Sequence, residues 1–312
     1  MKKIILILLL FATGCNTTSK LMKQADETGD FKTLRTLAVE KLAAKPNDPL
    51  ALSMMGKVYL AEGKPDSAAI LFEKAMKIKP ENAVYRNLLV ESKVVLGDSL
   101  LSKDFVLRAR DQYRLAIELD STHFPAQCRM GLVQKKLGLY DAAQNSYRRA
   151  YHINSYADSL QKVLDFFDAA HVQSNLLMTK GIDLLKKKRY KTAMETLTQA
   201  VQAKPDNEEA KYYVYLSTGL FNYKRGSLGK LWNAVEQFGL AAALQPEKPE
   251  PHFYLAETYV KKDKKDYENA IREYKEVIDI APDSNLAKEA KKRIQKLKSG
   301  KKLLEDFWHK KR

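Results

Sequence analysis

Few side chains of the sequence are spaced as a catalytic or metal site requires. The segment GSLGK at 226–230 contains the Gly-Lys pair of a phosphate-binding loop, but Lys224 stands where that loop needs its first glycine. None of the five histidines is followed by a second potential ligand three or four residues later. Cys15 and Cys128 are the only thiols, too few for a thiolate metal site. We therefore predict no catalytic residue, no metal, no cofactor and no enzymatic activity.

The composition is that of a water-soluble helical protein. Of the 312 residues, 45% are apolar and 29% are charged, a balance that allows a buried core. Glycine (13) and proline (10) are scarce, which favours long uninterrupted helices. Two cysteines exclude a disulfide scaffold. The net charge of +16 predicts contact with something anionic.

The first fifteen residues, MKKIILILLLFATGC, have the pattern of an export signal. Two lysines precede an apolar run over 4–11, which is shorter than the roughly 20 residues that span a bilayer. The small residues before Cys15 resemble the lipobox of bacterial lipoproteins, in which the cysteine is acylated and becomes the new N-terminus. This resemblance implies a signal peptide over 1–14 and a lipidated tether over 15–21. The alternative is cleavage by the general secretory route without a lipid.

The same resemblance predicts the location of the protein. Acyl chains on Cys15 would anchor it stably to a membrane. Asn16 follows the cysteine, whereas retention in the inner membrane uses aspartate there, so we expect the periplasmic face of the outer membrane of a Gram-negative bacterium. Export also excludes nucleic acid as a partner.

Short turn segments recur along the chain, and each of them ends a predicted helix. They centre on Pro46, Pro80, Ser121, Ser155, Pro205, Pro246 and Pro282. The intervals between them are 34, 41, 34, 50, 41 and 36 residues, so a unit of 34 with local insertions accounts for all of them.

Within each unit, apolar and small residues recur with the spacing of two packed helices. One unit contains Leu52, Met55, Gly56, Tyr59, Ala68, Phe72 and Ala75. This pattern resembles the tetratricopeptide repeat. The resemblance implies an all-α solenoid, a right-handed superhelix of helix-turn-helix units, with six full repeats and a partial one.

The insertions predict how the repeats are divided. We place insertions of seven residues at 98–106 and 222–231, between the two helices of a unit. An apolar stripe within 156–173 predicts one extra, unpaired helix. The predicted domains are therefore an N-terminal block over 22–155, that helix, and a C-terminal block over 174–283.

Stacked repeats leave one face of their first helices open to a ligand. Large apolar side chains predominate on that face, and we predict a groove that binds a peptide segment of a partner protein. The predicted groove residues are Leu132, Met178, Ile182, Leu185, Tyr212, Leu216 and Phe253. The alternative is that these side chains pack against the neighbouring repeat.

The last 29 residues are strongly basic. Eleven cationic and three acidic side chains give 284–312 a net charge of +8. We predict a basic capping helix and tail that contacts an anionic membrane or an acidic partner. The alternative is a solvated cap. The predicted contact residues are Lys301, Lys302, Trp308, Lys310, Lys311 and Arg312.

These features together predict a lipid-anchored scaffold that mediates protein–protein interactions in the assembly of an envelope complex. The segment over 267–294 resembles part of the lipoprotein subunit of the β-barrel assembly machinery. The alternative function is a periplasmic carrier or sensor that binds a lipid or glycan in the groove.

Overall fold

The computed structural model describes residues 17–156, 158–263 and 266–310, without the side chains of 303–310. Cys15, Lys311 and Arg312 lie outside the described residues, and so do the side chains of Trp308 and Lys310. Within the described ranges every regular element is a helix, which confirms the predicted all-helical fold. None of the helices in these ranges is both long and apolar enough to cross a bilayer.

The helices follow one another with short turns. Helix α1 covers 17–27 and overlaps the tether predicted over 15–21, of which residues 17–21 are therefore helical. The others are α2 Phe31–Ala44, α3 Pro49–Ala61, α4 Pro65–Ile78, α5 Ala83–Ser102, α6 Val106–Leu119, α7 Phe124–Lys136, α8 Tyr140–Ile153, α9 Asp158–Lys186, α10 Tyr190–Ala203, α11 Glu208–Arg225, α12 Leu228–Leu244, α13 Glu250–Lys262, α14 Tyr267–Ile280 and α15 Asn285–Lys310.

The chain divides into two compact units, Met1–Leu164 and Asp165–Arg312, and the boundary falls within α9. In unit 1 the pairs α3–α4, α5–α6 and α7–α8 pack as hairpins. In unit 2 the pairs α11–α12 and α13–α14 do the same, and α15 packs against α14.

A glycine of the first helix faces a large side chain of the second helix. A Cβ on Gly97 would lie within 2.8 Å of three ring atoms of Tyr113, and one on Gly131 within 2.9 Å of Tyr147. Such distances are well inside van der Waals contact, so the helices approach this closely only because the first one carries glycine. The same contact joins Gly56 to Phe72, Gly181 to Leu197 and Gly219 to Phe238.

In five second helices, alanines flank the large side chain on the same face and keep that face close to its neighbours. Two fully buried alanines, seven residues apart, lie two turns apart on the same face of the helix. These pairs are Ala68 and Ala75, Ala109 and Ala116, Ala143 and Ala150, Ala193 and Ala200, and Ala234 and Ala241. Larger side chains at these positions would separate the helices.

Turn chemistry sets where helices begin and end. Polar side chains cap several first helices; for example, Asp48 accepts a hydrogen bond from the Ala51 N–H. The turns that lead to the second helices contain residues in the left-handed region, Gly63 and Gly138 with φ of 69° and 74°. Gly226, in the segment compared with a phosphate-binding loop, is the left-handed C-cap of α11, with φ of 73°. This segment therefore begins as the turn between α11 and α12.

Neither seven-residue insertion lies wholly where the sequence placed it. The first was predicted at 98–106, but Gly97 lies 16 residues before Tyr113, as Gly56 does before Phe72. The extra residues therefore precede Gly97, and they lengthen α5 to 20 residues against 13 for α3. The second insertion lengthens both α11 and α12, to 18 and 17 residues.

The extra helix predicted over 156–173 is not separate. Asp158–Lys186 forms one helix of 29 residues, which continues through the predicted start of the C-terminal block at 174. No glycine or proline occurs between 158 and 180 to end a helix, so the extra turns join the first helix of the next pair.

The glycine contact gives a paired test in unit 2. We expect Gly219→Ala to lower the free energy of unfolding by about 1–3 kcal/mol, because its Cβ would overlap the Phe238 ring. Gly239→Ala is the control: no atom lies within 4 Å of a Cβ there, and alanine should raise the stability by up to about 1 kcal/mol. Denaturant unfolding of the full chain measures both. Equal effects of the two changes would contradict the close-approach explanation.

Candidate peptide-binding face

Each first helix carries a stripe of three residues beside the glycine. They lie three residues before it, one after it and four after it, within about 60° of one another around the helix. In unit 2, with Ala256 in the place of the glycine, the stripe is Met178, Ile182, Leu185, Leu216, Leu220, Tyr223, Phe253, Glu257 and Val260. In unit 1 it is Ser53, Lys57, Leu60, Val94, Asp98, Leu101, Cys128, Leu132 and Lys135.

Charged members of the unit 1 stripe tie consecutive first helices together. Lys57 donates to Asp26 of α1 at 2.5 Å. Asp98 pairs with Arg129 of α7 at 2.9 Å and accepts a hydrogen bond from the Tyr113 hydroxyl at 2.7 Å. These charges serve the packing of the repeats, which leaves less of this stripe for a partner.

Leu132, the predicted groove residue of unit 1, is 43% exposed. Cys128 lies one turn before it and is half-buried. Burial raises the pKa of the Cys128 thiol against the opposing effect of Arg129, so the reactive thiolate is disfavoured. This favours the interpretation of Cys128 as a structural thiol.

Two predicted groove residues belong to the core instead. Tyr212 is 1% exposed and Leu216 is 7% exposed, and both lie in a cluster with Phe238 and Leu255. Tyr212 precedes Gly219 by seven residues, which is two turns, so it faces the same way as the glycine. Leu216 is in the stripe, but the next first helix covers it through Leu255.

The remaining predicted residues of unit 2 lie at the edge of the core. Met178, Ile182 and Leu185 are half-buried along two turns of α9, and Leu185 also touches the Tyr212 cluster. Phe253 is half-buried and its ring contacts that of Tyr274 edge to face at 5.6 Å. All four side chains are partly exposed, and Leu185 and Phe253 also contact the core, as peptide-binding side chains do.

A carboxylate that the sequence did not single out lies in the stripe of unit 2. Glu257 accepts a hydrogen bond from the Tyr274 hydroxyl at 2.5 Å and pairs with Arg293 of α15 at 3.3 Å. With Val260 it lines a cavity of about 180 Å³, which is the size of a single side chain rather than of a small-molecule ligand. Its position directly after Ala256 was the only signal for it in the sequence.

The histidines with described contacts serve the packing. His123 caps α7 by accepting a hydrogen bond from the Ala126 N–H, and it pairs with Glu91. His252 pairs with Glu273 at 2.9 Å. Burial opposes the ionisation of Glu273, but hydrogen bonds from His252 and Arg272 outweigh it and lower the pKa of this carboxyl group. Among the described residues, no three potential ligands meet as a metal site would require.

The basic tail predicted over 284–312 begins as α15. Its first turns pack against α14, and Ala287 and Ala290 are fully buried there. Lys301 reaches Glu268 at 3.4 Å, and Lys302 is exposed. The side chains of Trp308, Lys310, Lys311 and Arg312 are not among those described, so the contacts predicted for them stay predictions.

Three stretches of the chain match the sequence profile of the tetratricopeptide repeat: residues 50–82, 124–155 and 253–284. They coincide with the hairpins α3–α4, α7–α8 and α13–α14. The chain therefore contains tetratricopeptide repeats, as its periodicity predicts.

Among curated proteins, the chain is 24% identical over 259 residues to DnaJ homolog subfamily C member 7 of Homo sapiens. The match covers 71% of this chain and 51% of that protein, so the chain spans about half the length of the curated relative.

Several solved structures are similar to this chain. The tetratricopeptide domain of P58(IPK) is 12% identical with a TM-score of 0.38, covering 92% of this chain and 99% of that one. YrrB, described as a tetratricopeptide protein with an unusual peptide-binding site, is 24% identical with a TM-score of 0.31, covering 71% and 97%. A tetratricopeptide protein from Parabacteroides merdae is 12% identical with a TM-score of 0.38, covering 91% and 99%.

The burial of Tyr212 predicts its mutational behaviour. We expect Tyr212→Ala to lower the free energy of unfolding by about 3–5 kcal/mol, as removal of a core aromatic does. Leu176→Ala on α9 is the control in the same unit, because this side chain is 70% exposed and its removal should cost less than about 0.5 kcal/mol. Denaturant titration measures both free energies of unfolding. If Tyr212→Ala is as stable as the wild type, Tyr212 is not a core residue and the predicted groove position would be supported.

Proposed function

We propose that the chain is a non-catalytic scaffold whose tetratricopeptide repeats bind a peptide segment of a partner protein. The stripe of unit 2 carries this proposal, because Met178, Ile182 and Leu185 form a half-buried apolar ridge, and Leu185 packs against the core. Apolar side chains of a bound peptide segment can pack against a ridge of this kind. The cavity beside Glu257 has the size and polarity to take one more side chain.

A structural role also accounts for the shifted titratable groups. Burial and the hydrogen bond to Asp98 raise the pKa of Tyr113, and burial with the hydrogen bond to Glu257 raises that of Tyr274. Each of these groups links two helices. Perturbed pKa values in a catalytic site belong instead to groups that converge on an open cleft.

The proposed site of action is the periplasmic face of the outer membrane, in the assembly of an envelope complex. The support is the lipobox resemblance before Cys15 together with Asn16. Helix α1 is already present at residue 17, so an acylated Cys15 would hold the first hairpin against the lipid headgroups. Partners would then lie at or in that membrane.

The peptide-binding proposal is tested by capture of partners after mild cross-linking in the native envelope. We expect Met178→Ser with Ile182→Ser to reduce recovery of the cross-linked partner about tenfold, because interface anchors contribute energies of that size. The control is Leu228→Ser with Leu240→Ser on α12, two side chains that are 62% and 41% exposed and lie outside the stripe. Equal recovery with both pairs, from folded proteins, would contradict binding at the stripe. Recovery of a lipid or glycan in place of a protein would favour the carrier function.

Lipid attachment has its own test with a matched control. Radiolabelled palmitate should be incorporated into the wild-type chain and into Cys128→Ser, and both should sediment with membranes. Cys15→Ser should lose the label, because acylation requires the thiol of the lipobox cysteine. Label retained in Cys15→Ser, or wild-type protein recovered free of membranes, would contradict the lipid anchor.

A further inference from the structure

A cavity of about 590 Å³ in unit 2 lies between the turn from α9 to α10 and the last turn of α11. Its lining has no acidic residue and five cationic ones: Lys188, Arg189, Lys191, Lys224 and Arg225. Tyr190 and Phe221 also line it. None of these seven residues is in the first-helix stripe, so this basic cavity is distinct from the proposed groove.

The cations of the basic cavity are poorly compensated. Lys191 has Glu195 at 3.9 Å, but among the described residues no ion pair joins Lys188, Lys224 or Arg225 to a carboxylate. The ammonium of Lys224 lies 6.0 Å from the Tyr190 ring centre, and the guanidinium of Arg225 lies 5.4 Å from that of Phe221. Like charges gathered in this way repel one another, which costs stability unless an anion joins them.

Helix dipoles do not account for the cluster. Lys224 and Arg225 lie at the C-terminus of α11, where a cation is favourable. Arg189 and Lys191, however, flank the N-terminus of α10, where the dipole disfavours a cation.

The backbone conformation at Lys188 is one that favours glycine. Lys188 has φ of 56°, in the left-handed region, where the corresponding turns of unit 1 use Gly63, Asp104 and Gly138. A lysine in this conformation is less stable than a glycine would be. Folding alone would favour glycine here, whereas an anion-binding role favours lysine.

We propose that the basic cavity binds an acidic peptide segment, of a partner protein, that carries an aromatic or large aliphatic side chain. The carboxylates pair with the cations, and the apolar side chain packs on Tyr190 and Phe221. A volume of about 590 Å³ holds roughly four residues of such a segment. This site acts through charge, independently of the apolar ridge on α9.

The exposure of the cations favours a peptide over a small anion. All five are exposed, whereas sites for phosphate use buried donors and backbone N–H groups in fixed positions. Exposed cations each contribute little, so useful affinity requires several carboxylates on one ligand. A chain of acidic residues meets this requirement.

Fluorescence anisotropy of the full chain with a labelled peptide, Glu-Asp-Glu-Phe-Asp-Glu-Asp-Glu, tests the proposal. We expect saturable binding that weakens as salt is raised from about 50 to about 300 mM. We expect weaker binding of the same peptide with Gln and Asn in place of the acids, and also of the peptide with Gly in place of Phe. Equal binding of the neutral peptide would overturn the proposal.

The key variant separates binding from folding. Lys188→Gly with Lys224→Gln removes two cations while placing the residue that the turn prefers at 188. We expect it to melt no lower than wild type and to bind the acidic peptide about fivefold more weakly. Lys275→Gln with Lys291→Gln is the control: it changes the net charge equally at exposed positions outside the cavity, and binding should remain near wild type. Equal loss of binding in both variants would indicate net charge alone and overturn the site.

Two further probes distinguish other anions. Pyrophosphate, or vesicles with about 30% phosphatidylglycerol, should compete with the labelled peptide only weakly. Competition by either at concentrations comparable to those of the unlabelled peptide would overturn the choice of a peptide ligand. If the key variant fails to fold, Lys191→Gln with Arg225→Gln takes its place, with the same expected loss of binding.

Discussion

The close approach of a first-helix glycine to a ring or leucine of the second helix is the contact on which the rest of the structure depends. Where Gly97 meets Tyr113, the missing Cβ leaves the space that the ring fills. The distance between the two helices then follows, and with it the positions of Ala109 and Ala116, which are fully buried against neighbouring helices. Repetition of this contact in five hairpins gives them a similar internal geometry.

This constraint explains how the repeats tolerate insertions. Four of the contacts, those of Gly56, Gly97, Gly131 and Gly181, keep the same 16-residue separation. The extra residues of α5 and α9 all precede their glycines, at helix N-termini where added turns do not disturb the contact. Among the five glycine contacts, that of Gly219 with Phe238 has a longer separation, and there a longer α12 absorbs the difference.

The two units use the same scaffold differently. In unit 1, charged stripe residues such as Lys57 and Asp98 link consecutive first helices. In unit 2, the stripe on α9 is apolar, and cations collect instead around Tyr190 at the turn. The apolar stripe on α9 and the basic cavity are therefore two separate surfaces of unit 2.

The sequence by itself determined the helical class, the 34-residue unit and core positions such as Ala68, Phe72 and Ala75. Helical periodicity and the recurrence of glycine, alanine and aromatic residues are local patterns. The sequence also identified Met178, Ile182 and Leu132 as stripe positions. Only the tertiary structure decided that Tyr212 and Leu216 are buried, because that depends on the register of α11 relative to Gly219 and on Leu255 of the next first helix. The basic cavity is likewise tertiary: residues 188–191 and 221–225 are some thirty positions apart in sequence, and only the packing of α11 beside α10 brings their charges together.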